Sequence, residues 1–258
     1  VCAFRALESA RPASARRLYD PQAPWFLRGP ERALARGLGP AIRPFAVASR
    51  GLFDDVVERH VVMDAAVRRA VAEGARRLII LGAGYDTRAW RFAQPGLDVF
   101  ELDFPATLAR KERCIRRHRA RFPEVSVTRV GVDFTSSAWP EALPRTSAPA
   151  LVVWEGVSMY LEAEDVVRTL RAVAARLPGA AVVMDVYAGA GDALARLGGR
   201  VLGVLGEPLR FGLPAQEQKP FFDAAGFRVE RAHDLGAAPT RIARAGSHLD
   251  VLELRPVP

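Results

Sequence analysis

The sequence contains little cysteine and little histidine, which narrows the kinds of site it can form. Its 258 residues include two cysteines, Cys2 and Cys114, and four histidines. Two thiols so far apart in the chain predict neither a disulfide framework nor a zinc site, and we expect both to be reduced. The histidines lack the close spacing of metal ligands, such as His-x-x-x-His. We therefore expect no metal centre.

Long apolar runs are absent as well. No stretch of about 18 apolar residues occurs, so we expect no membrane-spanning helix and no membrane partner. The first residues, 1–5, lack the charged and then apolar pattern of a signal peptide. Together with the reduced thiols, these features predict a cytoplasmic protein.

Acidic residues are fewer than basic ones, which leaves a formal net charge of +8. The densest basic run spans residues 110–121, and a basic cluster of this kind is one footprint of nucleic-acid binding. No aromatic residue interleaves these cations, so a stacking platform for single-stranded bases is not indicated. We favour a solvent-exposed helix face, and we expect no nucleic-acid partner.

Half of the residues are apolar or aromatic, which is enough for a sizeable core. Apolar runs alternate with helical patterns, as in an α/β domain with a mostly parallel sheet and helices on both faces. The last two strands are joined by a loop, which predicts a late hairpin. The seven predicted strands span 78–81, 97–103, 125–132, 150–154, 180–185, 227–230 and 248–254. The clearest helices span 54–73, 162–176 and 214–225, with another beginning at Pro105.

The residues that follow the predicted strands carry the chemistry. Ligands of open α/β sheets bind at the carboxyl ends of the strands. Glycines after the first strand allow backbone to approach a ligand closely. An acidic residue about 20 positions later can accept hydrogen bonds from the ribose of a nucleoside, which fits Asp103, with Glu101 as the alternative. The residues at the four strand ends are Gly82-Ala83-Gly84, Asp103, Asp133-Phe134 and Glu155.

The glycine loop itself distinguishes two classes of cofactor. Dinucleotide-binding loops have a third glycine where this chain has Thr87, and their helix N-terminus is free to hold a pyrophosphate. Here Asp86 stands at that position, and its charge would repel a phosphate. S-adenosylmethionine has no phosphate and carries a sulfonium and an amino group, so acidic neighbours suit it. We therefore predict S-adenosylmethionine as the cofactor.

Several segments resemble the leucine carboxyl methyltransferase family. The resemblance rests on Leu81-Gly-Ala-Gly-Tyr-Asp-Thr-Arg-Ala-Trp-Arg-Phe92, on Phe100-Glu-Leu-Asp-Phe-Pro105 and on Glu155-Gly-Val-Ser-Met-Tyr-Leu161. A later stretch, 206–213, is similar to bacterial members. The family includes an enzyme that methylates the C-terminal carboxylate of a protein phosphatase and bacterial enzymes that act on polyketides and other small molecules. The resemblance implies a class I methyltransferase fold, Rossmann-like, with seven strands and a helical N-terminal segment and insertion.

The resemblance also implies roles for individual residues. Gly82 would contact the methionine part of the cofactor, Asp103 the ribose, and Glu155 the amino group. Arg59, which begins an Arg-x-x-x-x-Asp pattern ending at Asp64, would bind the cofactor carboxylate, and Arg5 would face the same group. The remaining predicted cofactor contacts are Asp133 and Phe134, which would flank the adenine, together with Ala83, Gly84, Asp86, Phe104 and Gly156.

We therefore expect one methyltransferase domain with a cofactor-binding core at 54–186 and C-terminal strands at 221–258. Residues 1–53 would form an N-terminal cap, and 187–220 an insertion over the acceptor. The expected reaction transfers a methyl group to a carboxylate or hydroxyl oxygen of a small-molecule natural product.

No residue is certain to act as a base or to hold the acceptor. Tyr160 and His233 are candidate bases, and Arg210 is a candidate partner of an anionic acceptor. Four alternatives stay open: an NAD-dependent oxidoreductase, a protein carboxyl methyltransferase, a nucleic-acid methyltransferase and an inactive cofactor-binding protein.

Overall fold

The structure is a computed structural model that describes residues 1–38, 51–188, 209–235 and 249–257. Seven strands form one sheet, and helices before and between them cover its faces. The strands are β1 (Arg77–Leu81), β2 (Asp98–Asp103), β3 (Val127–Gly131), β4 (Ala150–Trp154), β5 (Ala181–Tyr187), β6 (Phe227–Asp234) and β7 (Leu249–Pro256). The helices are α1 (Cys2–Ser9), α2 (Gly29–Leu38), α3 (Leu52–Ala72), α4 (Arg88–Arg91), α5 (Pro105–Arg117), α6 (Ala163–Arg176) and α7 (Ala215–Ala224).

The strand order is β3-β2-β1-β4-β5-β7-β6, with β7 antiparallel to both of its neighbours. The chain reverses direction across the sheet between β1 and β4, which makes that point the switch point of the topology. Leu81 at the end of β1 pairs with Leu102 of β2 and with Trp154 of β4. The residues that follow these three strands therefore emerge side by side at one edge of the sheet.

Two hydrophobic clusters lie on opposite faces of the sheet. Ile79, Leu81, Val152 and Trp154 point to one face, where α6 and α7 pack. The alternate residues of the same strands point to the other face and pack against α3; they are Leu78, Ile80, Leu151 and Val153. Because β1 and β4 are covered on both sides, their runs are wholly apolar, as buried parallel strands require.

The N-terminal segment forms a third cluster next to this core. Leu7 of α1 packs with Phe53 and Val57 of α3. The rings of Phe4 and Phe53 meet edge to face at 5.8 Å. This packing holds α1 beside the carboxyl ends of the central strands.

The predicted seven strands and late hairpin are confirmed. Strand β4 and the end of α6 lie at the predicted residues, while β6 runs to Asp234, further than predicted, because it pairs along the whole of β7. Most of the predicted insertion, 189–208, and the first residue of the last predicted strand, His248, lie outside the described residues. Within the described parts of the chain, no helix is long and apolar enough to cross a membrane.

Candidate functional site

A cavity of about 430 Å³ opens at the carboxyl ends of β1 and β4. Its floor is the glycine loop, residues 82–86, and its walls come from α1, α3 and the segment after β4. The predicted site residues on its surface are Arg5, Arg59, Gly82, Ala83, Gly84, Asp86, Glu155 and Gly156. The volume suits a ligand of moderate size. The structure thus gathers residues from positions 5 to 156 of the sequence at one place.

The glycine loop needs glycine for two physical reasons. Gly82 and Gly84 have φ angles of 68° and 39°, in the left-handed region that other residues rarely adopt. A Cβ atom on Gly82 would lie 2.1 Å from Cγ2 of Val157. The amide of Gly82 donates to the carbonyl of Leu102 at 2.8 Å, which ties the loop to β2.

Asp103 braces the loop from the neighbouring strand. Its carboxylate accepts hydrogen bonds from the amides of Gly84 and Phe104, both at 2.6 Å. Each carboxylate oxygen keeps further lone pairs for an incoming hydroxyl group. The alternative ribose ligand, Glu101, is not free for that role. It is fully buried and binds Lys111 at 2.8 Å and Arg129 at 2.9 Å.

Glu155 lies at the centre of a buried ion network. Its Oε1 accepts from Nε of Arg59 at 2.9 Å, and its Oε2 lies 2.8 Å from Nη1 of Arg88. Nδ1 of His60 lies 2.5 Å from Oε1. Burial alone would raise the pKa of Glu155, but His60 and the two arginines hold it well below its ordinary value. Glu155 is therefore a fixed negative charge in the wall of the cavity.

Arg59 connects Glu155 to the fifth strand. Its Nη1 donates to Oδ2 of Asp185 at 2.7 Å, and the other oxygen of Asp185 accepts from the amide of Gly156 at 2.8 Å. The third guanidinium nitrogen, Nη2, is buried and has no hydrogen-bond partner among the described residues. It lies 3.4 Å from the place where a Cβ on Gly156 would stand. An unpartnered buried N–H donor at this position fits a ligand carboxylate.

His60 is neutral in this network. It is 2% exposed, and burial lowers its pKa to about 4 although Glu155 opposes the shift. Because Arg59 and Arg88 already balance Glu155, a neutral imidazole holds the carboxylate without adding a third positive charge.

Arg5 reaches the loop from the N-terminal helix. Its guanidinium donates to the carbonyl of Tyr85 at 2.6 Å and to Asp20 at 3.0 Å, and its Nε has no partner within the described parts of the chain. Asp20 also accepts from the hydroxyl of Thr87 at 2.7 Å. Arg5 thus fixes the outer end of the glycine loop.

The segment after the loop leaves no room for a pyrophosphate. Asp86 accepts the amide N–H of Arg88, the first residue of α4, at 2.6 Å, so the helix N-terminus is already capped. The guanidinium of Arg88 also binds Asp86 and Asp64. Asp86 therefore occupies the helix N-terminus at which a dinucleotide-binding loop would hold its pyrophosphate.

Two predicted adenine contacts have other partners. Asp133 closes a turn by accepting from the amide and the hydroxyl of Thr135, at 2.9 Å and 2.7 Å. Phe134 is 4% exposed and packs edge to face on Trp139 in the core. Neither residue lies in the wall of the cavity. Phe104 is 49% exposed beside Asp103, and these two residues do not line the cavity either.

The three candidate residues for acceptor chemistry also lie outside the cavity wall. Tyr160 ends a 3₁₀ turn, Ser158–Tyr160, after Gly156. The Nε2 atom of His233 lies 3.0 Å from Glu253, on the last two strands. Arg210 is 52% exposed and pairs with Glu162 at 3.0 Å.

Three residues of the network escaped the sequence-based prediction. Asp185 stands near the end of a predicted strand, so the rule that marked Glu155 would have found it. His60 and Arg88 carry no such signal, since they reach Glu155 only when α3 and α4 pack on the sheet. Among the residues that the structure describes, no group of three or more His, Cys, Asp or Glu side chains is arranged to hold a metal ion.

Comparison with known proteins gives matches that agree with this geometry. The family model described as leucine carboxyl methyltransferase matches residues 1–174. A Streptomyces coelicolor protein, provisionally assigned as an S-adenosyl-L-methionine-dependent methyltransferase, is 37% identical over 183 residues, which are 67% of this chain and 61% of that protein. A Mycobacterium tuberculosis protein with the same provisional assignment is 41% identical over 101 residues, or 37% of this chain and 33% of that protein. The chain thus spans about three fifths or less of the length of these curated relatives.

Solved structures show the same fold. A DUF574 family protein of Streptomyces avermitilis superposes with a TM-score of 0.63 at 18% identity, covering 98% of this chain and 100% of that one. The magnesium protoporphyrin IX methyltransferase of Synechocystis with bound SAH gives 0.54 at 15% identity, covering 80% and 86%. At these identities the likeness concerns the fold alone. The comparisons together confirm the predicted family, the class I methyltransferase fold and S-adenosylmethionine as the cofactor.

Proposed function

This chain belongs to the leucine carboxyl methyltransferase family, and from that premise we propose that it methylates an oxygen atom of a small-molecule acceptor. S-adenosylmethionine-dependent methyl transfer is the activity assigned to its relatives. The proposal adds the kind of atom that is methylated and the class of acceptor. The proposed acceptor is a natural product, and the methylated oxygen belongs to its carboxylate in preference to a hydroxyl group.

The observation that carries the cofactor's placement is the unpartnered Nη2 of Arg59 in the wall of the cavity. It fits the α-carboxylate of the methionine portion, and Arg5 offers a second unpartnered nitrogen on the same wall. The ionised Glu155 fits the amino group, and Asp103 at the loop fits the ribose hydroxyls. The arginines would place positive charge beside the cofactor's carboxylate, and Glu155 would place negative charge beside its amino group.

When bound, S-adenosylmethionine supplies an activated methyl group on a positively charged sulfur. The protein then has to bind the cofactor and the acceptor, align them with each other and exclude water. Alignment of two reactants within such a site can lower the barrier by about 7–11 kcal/mol. Glu155, held by three neighbours, keeps a fixed charge near the cofactor without reorganising during the reaction.

The titratable groups of the cavity favour a carboxylate acceptor. A carboxylate is ionised at neutral pH and needs no base, whereas a hydroxyl group gains from one with a pKa near 7. None of the side chains in the described wall offers such a base. The pKa of His60 lies at about 4 and that of Asp86 at about 2, and burial raises the pKa of Cys2. A negatively charged acceptor is also attracted by the chain's positive net charge.

The direct test is turnover with radiolabelled S-adenosylmethionine. The purified protein is incubated with separate panels of small carboxylic acids, phenols and peptides with a free C-terminus. We expect label in a methyl ester of a small acid, which alkali releases as methanol. Label in an alkali-stable ether would show a hydroxyl acceptor, and label in a peptide would show a protein carboxyl methyltransferase. Asp103→Ala serves as the control that should lose transfer.

The oxidoreductase alternative is tested by melting temperature. S-adenosylmethionine should raise it and NAD should not, because Asp86 caps the helix where a pyrophosphate would bind. Stabilisation by NAD alone would contradict the proposal.

A further inference from the structure

A second cavity, of about 470 Å³, lies beside the C-terminal half of α1, further along the helix than the candidate cofactor site. Its walls come from α1, from the 3₁₀ turn Ala23–Phe26, from α2 and from the 3₁₀ turn Arg119–Arg121. Ser9 and Ala10 face this cavity, whereas Cys2, Ala3 and Arg5 face the first one. The volume is within the range of small-molecule sites. Methyl transfer as described above uses none of these walls.

Three arginines converge on one tryptophan at this cavity. The guanidinium carbons of Arg32, Arg36 and Arg121 lie 4.6, 5.4 and 4.7 Å from the ring centre of Trp25. Within the described residues, none of the three forms an ion pair with a carboxylate. Three like charges around one ring repel one another, and an anion would relieve that repulsion.

His118, a neighbour of Trp25, lies in the same positive electrostatic field. The ring of His118 lies 5.2 Å from that of Trp25. Its pKa is lowered by burial and by the charges of Arg32 and Arg117. The groups that face it therefore add positive charge from both α2 and α5.

A buried hydrogen-bond acceptor in the cavity wall indicates a second group that the ligand would carry. Gln22 lines the cavity and is 8% exposed, yet its Oε1 has no hydrogen-bond partner among the described residues. A buried carbonyl oxygen left without a donor costs about 1–3 kcal/mol. A ligand with a hydroxyl or N–H group would supply that donor. The remaining walls are flat and stiff, since they include Tyr19, Pro21, Pro24 and Pro123.

We propose that this cavity binds a small aromatic anion that also carries a hydrogen-bond donor. Its carboxylate or phosphate contacts Arg36 and Arg121, its ring packs on the proline and tyrosine walls, and its donor binds Gln22. Guanidinium groups match both anions by their planar fork of N–H donors. The site shares Asp20 with the cofactor side, because that buried carboxylate lines this cavity and binds Arg5 of the first one.

The test is ligand-observed NMR and calorimetry with the full chain, first without and then with saturating S-adenosylhomocysteine. The probes are 4-hydroxybenzoate, 4-hydroxyphenyl phosphate and, as a neutral isostere, 4-hydroxybenzamide. We expect at least one anionic probe to bind and the amide not to bind. Binding by the benzoate but not the phosphate, or the reverse, identifies which anion the site takes.

Two variants test whether the probes bind in this cavity. Arg36→Ala with Arg121→Ala should weaken the anion about tenfold or more without lowering the melting temperature, since these cations have no carboxylate partner. Gln22→Leu should weaken 4-hydroxybenzoate but leave benzoate unchanged. The matched control is Arg113→Ala, which removes an exposed charge of α5 outside the cavity walls.

Four results would overturn the proposal. They are equal binding of the amide and the anions, equal losses in the Arg113→Ala control, displacement of the probe by S-adenosylhomocysteine, and a single-stranded oligonucleotide that binds more tightly than any small anion. The last result would make this face a nucleic-acid surface.

Discussion

Arg88→Met is the substitution that probes the buried network most sharply. Arg88 is fully buried, and its guanidinium binds three carboxylates, those of Asp64, Asp86 and Glu155. Methionine fills similar space without the charge. The variant therefore leaves three carboxylates inside the protein with one cation fewer.

The size of the effect follows from the cost of a broken buried ion pair. Removing one partner typically costs about 3–5 kcal/mol, because the remaining charge stays buried. The other arginines, Arg59 and Arg91, still reach Glu155 and Asp64, which places the expected loss near the lower end, about 3 kcal/mol. The loss should shrink at acid pH. Arg88 helps to hold the pKa of Asp64, Asp86 and Glu155 below their ordinary values of 3.8 and 4.5, so its contribution is complete above those values and is lost as the pH falls toward the folded pKa, about 2 for Asp86.

The assay is urea unfolding between pH 7 and about pH 2.5, which reaches toward the folded pKa of Asp86, followed by far-UV circular dichroism. The matched control is Arg210→Met, whose partner Glu162 is 55% exposed, and it should cost under about 1 kcal/mol. An Arg88→Met protein as stable as this control at pH 7 would refute the reasoning. So would a loss that stays constant as the pH falls.

Two further predictions concern the cavity wall and the loop. The pKa of His60 in the folded protein is about 4, below the ordinary 6.5. The contribution of this group to the free energy of unfolding is therefore complete above pH 6.5 and is lost as the pH falls toward 4. In urea titrations the parent protein should lose about 3 kcal/mol over that range through this group, and His60→Gln should show a shallower slope; parallel profiles would contradict the assignment. Gly82→Ala should cost about 2–4 kcal/mol in unfolding free energy, because it combines a positive φ with a Cβ 2.1 Å from Val157. Adding Val157→Ala should restore part of that loss and not all of it, and full restoration would show that the backbone carries no strain.

The sheet and the loop could be read from the sequence because their causes are local. The apolar runs 78–81 and 150–154 can be buried on both faces only in a central parallel strand. The glycines at 82 and 84 mark a turn that other residues cannot make. Strand ends that meet at one edge then place Asp103 and Glu155 beside the loop without further information.

The ion network could not be read in this way. A buried polar side chain such as His60 or Arg88 has no pattern in sequence that separates it from a solvent-exposed residue. Its partners come from elements far apart in the chain, and only their packing brings them within hydrogen-bond distance. The same reason explains why the sequence alone leaves Glu101 as an alternative to Asp103.

The aromatic residues that follow two of the strands could not be distinguished from the sequence either. Phe134 and Phe104 both follow an aspartate at the end of a strand, and the sequence treats them alike. The structure buries Phe134 against Trp139 and leaves Phe104 half exposed. Which of two equivalent rings faces a ligand depends on how the following segment folds back, and this chain offers no local signal for it.

Calorimetric titration of S-adenosylhomocysteine into the purified protein tests the central claim most directly. The account predicts one binding site per chain and an affinity that falls about tenfold or more in Asp103→Ala, since a charge-assisted hydrogen bond contributes about 1.5–3 kcal/mol. The melting temperature of the variant identifies a loss that comes from unfolding instead. An absence of binding to the parent protein, or an unchanged affinity in a folded Asp103→Ala variant, would contradict the account.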